Sequence, residues 1–362
     1  MTDRTTALTL TDLGWSAPFA DAFAPHAAEG LVAGRVALEH KRSYRVLTEQ
    51  GELLCGITGR LRHHAGGRGD FPAVGDWVAL APRPDEGAGT IHALLPRRSK
   101  FSRKAAGDRM EEQIVAANVD TLFLMMALNN DFNIKRLERY LVLAWNGGAQ
   151  PVVLLSKTDL VDDPEPQRAE VEAVAAGAPV HLLSVRTGLG VEAVESYLRP
   201  GQTVALLGSS GVGKSTLANR LVGAEHFATR AVRDGDDRGM HTTTHRELLR
   251  LPSGALLIDT PGMRELHLWG GPELLSQGYG DVEELETRCR FSDCQHRTEP
   301  GCAVRAALAD GSLSAERWEN YQKLQREVAF ESRRDDPGLQ AAERQRWKSI
   351  HKSMKSHPKM KR

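Results

Sequence analysis

The chain has 362 residues, of which 41% are hydrophobic and 26% charged, and its 47 basic and 47 acidic residues balance to a formal net charge of zero. This composition is typical of a globular protein with two or three compact domains. The chain contains no run of about 18 apolar residues, and its start, with Asp3 and Asp12 among scattered apolar side chains, lacks the pattern of a secretory signal. We therefore expect a cytoplasmic protein with no membrane partner.

A short N-terminal extension, residues 1–30, precedes a segment, residues 31–96, that has the pattern of a small β domain. Short runs with strand character are separated there by turns rich in Gly, Pro and Asp. Five strands are typical of an OB-like β-barrel, a fold that binds oligonucleotides, and the same number also suits an SH3-like barrel. The predicted strands are 35–39, 44–48, 53–58, 76–80 and 90–94.

Basic residues are grouped although the net charge is zero. Arg60, Arg62 and Arg68 lie in the predicted barrel, a second group covers residues 97–104, and residues 344–362 contain many basic residues and no acidic one. Such groups are a common footprint of a surface that binds a polyanion, although any single group would also suit a solvated surface. Together they favour a nucleic-acid partner.

Residues 97–273 alternate apolar strands with helices, which predicts a parallel α/β domain. Ser156, Ser184, Gly208 and Asp259 each directly follow one of these strands. Because ligands bind beyond the carboxyl ends of the strands in such sheets, we expect these four residues at one edge. The strands in question are 152–155, 179–183, 204–207 and 256–258.

Residues 208–215 match the phosphate-binding pattern G-x-x-x-x-G-K-S and lie between a predicted strand and a predicted helix. The loop amides and the helix N-terminus would bind phosphates, Lys214 would reach the β and γ oxygens, and Ser215 would bind Mg²⁺. Lys214 is also a predicted catalytic residue, because it would stabilise charge on the transferred phosphoryl group. The predicted nucleotide-binding residues here are Gly208, Ser209, Ser210, Gly211, Val212, Gly213, Lys214, Ser215 and Thr216.

The tetrapeptide Ser156-Lys157-Thr158-Asp159 predicts that the base is guanine. The Asp159 carboxylate can accept hydrogen bonds from guanine N1–H and from its exocyclic amine, a donor pair that adenine lacks, while the Lys157 stem packs on the purine. Ser156 stands where Asn is common, and its shorter hydroxyl can make one bond that braces the loop, so we expect weaker GTP affinity with the selectivity kept. Ser184 opens the companion base-binding loop.

The guanine-reading motif precedes the phosphate-binding loop in this chain. In an ordinary GTPase the phosphate-binding loop comes first. The inverted order predicts a circularly permuted GTPase domain.

The segment that follows strand 256–258 predicts a nucleotide switch. Asp259 would support Mg²⁺, and Gly262 would sense the γ-phosphate. Met263 stands where many GTPases have a glutamine that orients the attacking water, so intrinsic hydrolysis should be slow. His241 is the candidate that orients this water, and Thr243, or the threonine before it, is the candidate for a second hydroxyl on Mg²⁺.

The segment 274–334 predicts a small domain with a helix over 314–333 and a zinc site, followed by a basic tail, 335–362. The spacing of the site is C-x4-C-x-H-x5-C. A reducing cytoplasm disfavours disulfides, whereas three thiolates and an imidazole complete a tetrahedral zinc shell with no position left for an activated water. We therefore predict one structural Zn²⁺, held by Cys289, Cys294, His296 and Cys302.

This sequence of motifs resembles the circularly permuted, small-ribosomal-subunit-dependent GTPases of the RsgA/YjeQ family. The resemblance extends from about residue 31 to about residue 330 and includes Val74-Gly75-Asp76-Trp77-Val78, Asp131-Phe132-Asn133, and the motifs at 208–215, 241–244 and 289–302. It implies a bacterial assembly factor that binds the small (30S) ribosomal subunit late in maturation. It also implies contacts to rRNA through barrel and zinc domain, other assembly factors as partners, and faster GTP hydrolysis after docking.

The resemblance also bears on single residues. His241 occupies the place where a water-positioning histidine has been proposed in the family, and a residue other than glutamine at Met263 is usual there. Ser156 departs from the family, which usually has Asn at this position. This departure concerns the affinity for the nucleotide and not the reaction.

Two other functions remain compatible with the residues. The first is a GTP-gated RNA-binding module with little turnover, which Met263 favours. The second is an ATP-using phosphotransferase, because a phosphate-binding loop alone does not read the base, and Asp159 argues against it. No long heptad pattern occurs, so a monomer is expected.

Overall fold

The structure is a computed structural model and describes residues 8–40, 43–104, 112–175, 177–223, 246–259 and 272–335. The chain divides into two compact units, the first ending at His267 and the second beginning at Leu268. The first unit contains a β-barrel and an α/β sheet, and the second is helical.

The N-terminal segment packs on the barrel through aromatic side chains. Helix α1 spans Ala17–Ala28 and begins after Trp15, whose ring lies edge-on to Trp77 of the barrel at 4.6 Å between centroids. Phe19 of α1 contacts the same ring at 5.8 Å, and both Phe19 and Trp77 are buried. Large aromatic side chains bury much apolar area, so these contacts attach the predicted extension to the barrel.

The barrel has five strands, β1 Val32–Glu39, β2 Tyr44–Thr48, β3 Gly51–Ile57, β4 Trp77–Arg83 and β5 Ala88–Leu94, with a short helix α2, Gly59–His64, between β3 and β4. Their order is β1-β2-β3-β5-β4, and β4 pairs back with β1, which closes the sheet. The β3–β5 pair is parallel and the other pairs are antiparallel. This closed five-stranded connectivity is that of an OB fold, which confirms the predicted barrel and decides against the SH3-like alternative.

Strand β1 begins at Val32 rather than at residue 35, because Gly34 belongs to the strand and not to a turn. A Cβ atom at Gly34 would lie 2.5 Å from Cγ1 of Val46 and 2.8 Å from Cδ2 of Leu80. The glycine therefore permits close packing across the narrow barrel interior.

The basic segment after the barrel is a β-hairpin and its approach. Strands β6 Lys100–Lys104 and β7 Glu112–Ala117 pair antiparallel. Three basic side chains of this segment pair with carboxylates of the same chain: Arg97 with Asp76 at 2.7 Å, Arg98 with Asp120 at 2.8 Å and Lys100 with Glu112 at 3.0 Å. The charges of these three side chains are therefore paired within the first unit. Arg60 and Arg62 on α2, in contrast, are exposed.

The α/β sheet contains strands β8 Thr121–Ala127, β9 Gln150–Ser156, β10 Val180–Leu183, β11 Thr203–Gly208, β12 Glu247–Arg250 and β13 Leu256–Asp259. The order is β10-β9-β8-β11-β13-β12, parallel except for β12, and β12 also pairs with β1 through Leu38 and Glu247. The apolar strands 121–127 and 203–208 are buried throughout, as expected for the centre of a parallel sheet. The helices of this part are α3 Ile134–Asn146, α4 Glu165–Val174, α5 Val191–Glu195 and α6 Lys214–Val222.

The second unit contains helices α7 Ser276–Thr287, α8 Ala303–Asp310 and α9 Ala315–Asp335. Its apolar contacts centre on the buried side chains Tyr279, Val282, Val304, Tyr321 and Leu324. A core of this size is small, which is the situation in which a metal site commonly supplies stability. Across the described residues, every helix is too short or too polar to cross a membrane.

Candidate functional site

The phosphate-binding loop lies between β11 and α6, as the sequence predicts. Gly213 caps the helix with a φ of 103°, and Gly211 has a φ of 77°, a left-handed conformation that non-glycine residues rarely adopt. Helix α6 begins at Lys214, so Ser215 and Thr216 occupy its first turn. The amides of this first turn have no partner within the helix, which makes the position suitable for anionic groups.

The Lys214 side chain folds back over its own loop. Its Nζ donates to the carbonyl oxygens of Gly208 at 2.8 Å and of Ser209 at 2.6 Å. The ammonium group is therefore held at the mouth of the loop, next to the residues whose amides would contact a phosphate.

Asp131 also contacts the phosphate-binding loop, and this contact was not foreseen from the residues. The Ser209 hydroxyl donates to Asp131 Oδ1, and the same carboxylate oxygen pairs with Arg136 of α3 at 2.9 Å. Asp131 follows β8, the strand that neighbours β11, so the topology brings it beside the loop. The sequence signal that could have indicated it is its place in the loop that follows a buried strand.

The predicted base-binding motif lies at the end of β9 and is bonded to the phosphate-binding loop. The Ser156 side chain is buried, and its Oγ donates to the carbonyl oxygen of Val212 at 2.7 Å. Ser156 and Val212 are 56 residues apart in the chain. The hydroxyl thus makes the bracing bond that the sequence predicted for it, and its partner is the phosphate-binding loop itself.

Asp159 is bonded to the companion base loop. Its Oδ1 accepts from Ser184 Oγ at 2.6 Å, and Arg186 approaches Oδ2 at 3.7 Å from an exposed position. The hydrogen bond from Ser184 is the main cause that holds the pKa of the Asp159 carboxyl below its usual value. Lys157 adopts a left-handed φ of 61° between buried Ser156 and buried Thr158. Asp159 is therefore ionised and oriented as an acceptor.

The predicted site residues meet at one edge of the sheet. Ser156, Gly208 and Asp259 end the parallel strands β9, β11 and β13, and Ser184 directly follows β10. The structure therefore brings the base-binding motif, its companion loop and the phosphate-binding loop together. The switch residues His241, Thr243, Gly262 and Met263 lie outside the described residues.

The predicted metal ligands form a separate cluster in the second unit. The sulfur atoms of Cys289, Cys294 and Cys302 and one ring nitrogen of His296 all lie within 4.8 Å of one another. His296 Nδ1 is 3.6 Å from Cys289 Sγ and 3.5 Å from Cys302 Sγ, and these two sulfurs are 3.9 Å apart. A tetrahedral zinc ion with bonds of about 2.3 Å to S and about 2.0 Å to N separates S from N by roughly 3.5 Å and S from S by roughly 3.8 Å. The donor set and its spacing fit zinc.

The loop that carries His296 is held by backbone hydrogen bonds to one carboxylate. Glu299 accepts from the amides of Gln295 at 3.0 Å, Arg297 at 2.8 Å and Thr298 at 2.9 Å. The hydrogen bond from the backbone amide of Glu299 itself is the largest cause that lowers the pKa of this carboxyl to about 2, and the bonds from the three neighbouring amides lower it further. They support the left-handed φ of 57° at His296, a conformation that brings its ring beside the cysteines.

Known proteins match the chain over most of its length. The family model described as RsgA GTPase matches residues 94–269. A protein of Opitutus terrae named small ribosomal subunit biogenesis GTPase RsgA is 51% identical, with 98% of this chain and 99% of that protein covered. A protein of Lactiplantibacillus plantarum named small ribosomal subunit biogenesis GTPase RsgA 2 is 48% identical over 83% of this chain and 85% of its own length.

Solved structures agree with these matches. YjeQ from Thermotoga maritima has a TM-score of 0.61 at 28% identity, covering 83% of this chain and 99% of that one. YloQ, described as a circularly permuted GTPase, has a TM-score of 0.58 at 26% identity, covering 83% and 95%. The inverted order of the predicted base-binding and phosphate-binding loops agrees with the circular permutation described for YloQ. By its match to the family model and to these relatives, the chain belongs to the RsgA GTPase family.

Proposed function

We propose that this protein is a cytoplasmic GTPase that binds the small ribosomal subunit and assists its late maturation, with slow intrinsic hydrolysis that the subunit stimulates. The proposed nucleotide binding rests on two hydrogen bonds, one from Ser156 to Val212 and one from Ser184 to Asp159. Together they join two base-binding loops and a phosphate-binding loop into one site. The ribosomal part is supported by relatives named for small-subunit biogenesis.

The nucleotide would be bound by residues with distinct tasks. Asp159 accepts from the guanine edge, Lys157 packs on the purine, and Ser184 holds the Asp159 carboxylate in place. Lys214 and the loop amides stabilise the charge that develops on the transferred phosphoryl group. Mg²⁺, which neutralises phosphate charge when bound, would be held by Ser215, Thr243 and Asp259.

The switch residues complete the proposed reaction. His241 orients the attacking water, since Met263 cannot, and Gly262 and Thr243 respond to the γ-phosphate. If His241 has this role, His241→Ala should keep GTP binding and lose the subunit-stimulated turnover. A variant with full stimulated turnover would remove the assignment.

Zinc would have a structural role in the second unit. Four protein ligands leave no open coordination position, so the ion would supply folding free energy and not a reactive water. We further propose that residues 274–334 form this domain and that the tail, 335–362, adds basic charge. The barrel, 31–96, would contact rRNA through the exposed Arg60 and Arg62 of α2, close to His63 and His64.

The direct test is GTP hydrolysis by the purified protein, alone and with isolated small ribosomal subunits. Large subunits and ATP serve as controls for partner and base. Stimulation by small subunits alone supports the proposal. Slow hydrolysis that neither subunit changes would instead support a GTP-gated RNA-binding module.

Ser156→Ala is expected to weaken GTP binding by about 5- to 10-fold. The substitution removes a buried hydrogen bond and leaves the Val212 carbonyl oxygen without it, at a cost of about 1–1.4 kcal/mol. Fluorescent-nucleotide titration measures the change, and Ser196→Ala, which alters a hydroxyl on the exposed end of α5, is the matched control. An unchanged affinity in Ser156→Ala would show that the bond between the two loops does not support nucleotide binding.

A further inference from the structure

Glu286 contacts the metal-binding cluster although it is not one of the predicted ligands. It lies in the last turn of α7, and its Oε1 is 3.3 Å from His296 Nε2. The opposite ring nitrogen, Nδ1, faces the sulfurs of Cys289 and Cys302. The imidazole is therefore placed between a carboxylate and the thiolates.

A second contact holds Glu286 itself. Tyr321, on α9, donates its hydroxyl hydrogen to Glu286 Oε2 at 2.9 Å. Trp318, one turn earlier on α9, lies edge-on to the His296 ring at 5.4 Å between centroids and 82° between planes. The His296 and Glu286 side chains are only 12% and 26% exposed, so water competes weakly for these contacts.

We propose that Glu286 is a positioning residue for the zinc site, that it selects the His296 tautomer whose Nδ1 binds the metal, and that Tyr321 acts through it. The inference rests on the proposed structural zinc. It adds a carboxylate and a phenol outside the four ligands, and it assigns the ligand atom as Nδ1 and not Nε2.

The chemistry of the groups supports this assignment. A neutral imidazole carries one N–H donor and one acceptor nitrogen, and an ionised carboxylate can only accept. A hydrogen bond to Glu286 therefore requires the proton on Nε2 and leaves the lone pair of Nδ1 free for the metal. A carboxylate behind a metal-bound histidine fixes the ring orientation and raises the basicity of the ligand.

The net charge of the cluster indicates that hydrogen bonds, and not a general attraction, place Glu286 beside His296. Three thiolates around Zn²⁺ carry a net charge of −1, so the cluster as a whole does not attract a carboxylate. What favours Glu286 at this position is the Nε2–H donor on one oxygen and the Tyr321 hydroxyl on the other. Each carboxylate oxygen has its own donor, which fixes the plane of the group.

The test compares zinc affinity in the full chain and its variants by competition with a chromophoric chelator. Glu286→Ala should bind zinc 10- to 100-fold more weakly, the range for outer-shell substitutions. Glu286→Gln, which keeps an acceptor oxygen, should recover part of this loss. Glu283→Ala is the matched control, because Glu283 lies one turn away on α7 and accepts from Ser276 at 3.0 Å.

A spectroscopic measurement separates positioning from general stability. Long-range ¹H–¹⁵N correlations of the zinc-loaded protein should show a metal-bound Nδ1 and a protonated Nε2 for His296, and Glu286→Ala should lose or broaden this pattern. If Tyr321 acts through Glu286, Tyr321→Phe should weaken zinc binding by a few-fold, and adding it to Glu286→Ala should change little more.

The outcomes are distinguishable. A wild-type protein that binds no zinc removes the proposed structural metal and this inference with it. Zinc binding by the wild type with a metal-bound Nε2 overturns the inference alone. So does a Glu286→Ala variant whose zinc affinity and His296 signals equal those of the wild type. If Glu286→Ala does not fold, Glu286→Gln and Tyr321→Phe give the same comparison with smaller changes.

Discussion

Asp159→Asn is expected to change the base specificity of the protein from guanine to xanthine. In the proposed complex the carboxylate of Asp159 accepts from two guanine donors, and an amide cannot accept both. Loss of two hydrogen bonds to a charged group costs about 3–6 kcal/mol, so GTP binding should weaken by about 10²- to 10⁴-fold. Xanthine has an oxygen where guanine has the exocyclic amine, and the Asn amide N–H can donate to it.

The structure indicates which end of the new amide would face the base. Ser184 Oγ donates to Asp159 Oδ1, and the same hydroxyl can donate to the amide oxygen of Asn. The amide nitrogen is then the atom left for the base edge, which is the orientation that xanthine requires. The hydrogen bond from Ser184 thus favours the specificity change over a simple loss of binding.

Competition of GTP, XTP and ATP against a fluorescent nucleotide, followed by hydrolysis assays with each, measures the change. Asp162→Asn is the matched control, because Asp162 is an exposed acid three positions along the chain. Wild-type GTP affinity in Asp159→Asn would contradict the assignment of Asp159 as the guanine reader. Weak binding of all three nucleotides would indicate that Asp159 supports the loop without reading the base.

Arg97→Met is expected to lower the free energy of unfolding of the first unit by about 3–5 kcal/mol, because it leaves the Asp76 carboxylate buried without its partner. Asp76 is 0% exposed and is held by two Arg97 contacts, 2.8 Å from Nε to Oδ1 and 2.7 Å from Nη2 to Oδ2. The same guanidinium donates to the carbonyl oxygens of Gly69 and Phe71. The Arg97 side chain thereby joins the loop between α2 and β4 to the segment that leads into β6.

The neighbouring arginine provides the control. Arg98 pairs with Asp120 at 2.8 Å but is 42% exposed, so Arg98→Met should cost at most about 1 kcal/mol. Differential scanning calorimetry of both variants beside the wild type measures the difference. Equal losses of unfolding free energy in the two variants would show that the ion pair with Asp76 stabilises the fold no more than a surface ion pair does.

The loss of unfolding free energy caused by Arg97→Met should become smaller at lower pH. Burial raises the pKa of Asp76 even in the wild type, despite the Arg97 contacts, and the pKa should rise further when the guanidinium is removed. A carboxyl whose folded pKa exceeds its unfolded pKa destabilises the fold fully above the folded pKa, and this cost fades as the pH falls through that value. The difference in the free energy of unfolding between Arg97→Met and the wild type should therefore become smaller from pH 7 towards pH 5.

Much of the candidate site follows from the order of residues in the chain. Residues 208–215 and 289–302 are local patterns in which each ligating group is near the next, so spacing alone indicates what they bind. The barrel strands follow from alternation and turn residues, although Gly34 was not expected within β1. Glycine is common in turns, and only the close approach of Val46 and Leu80 explains why a glycine stands within this strand.

The sequence by itself determined the motifs, their inverted order and the four candidate metal ligands, because these depend on residue type and short spacing. Only the tertiary structure decided which distant groups meet: Val212 with Ser156, Asp131 with Ser209, and Tyr321 with Glu286. It also separated Arg97, which is half-buried against Asp76, from Arg98, which is exposed. Adjacent arginines look alike in a sequence, and burial and partners arise only when strands from different parts of the chain are packed side by side.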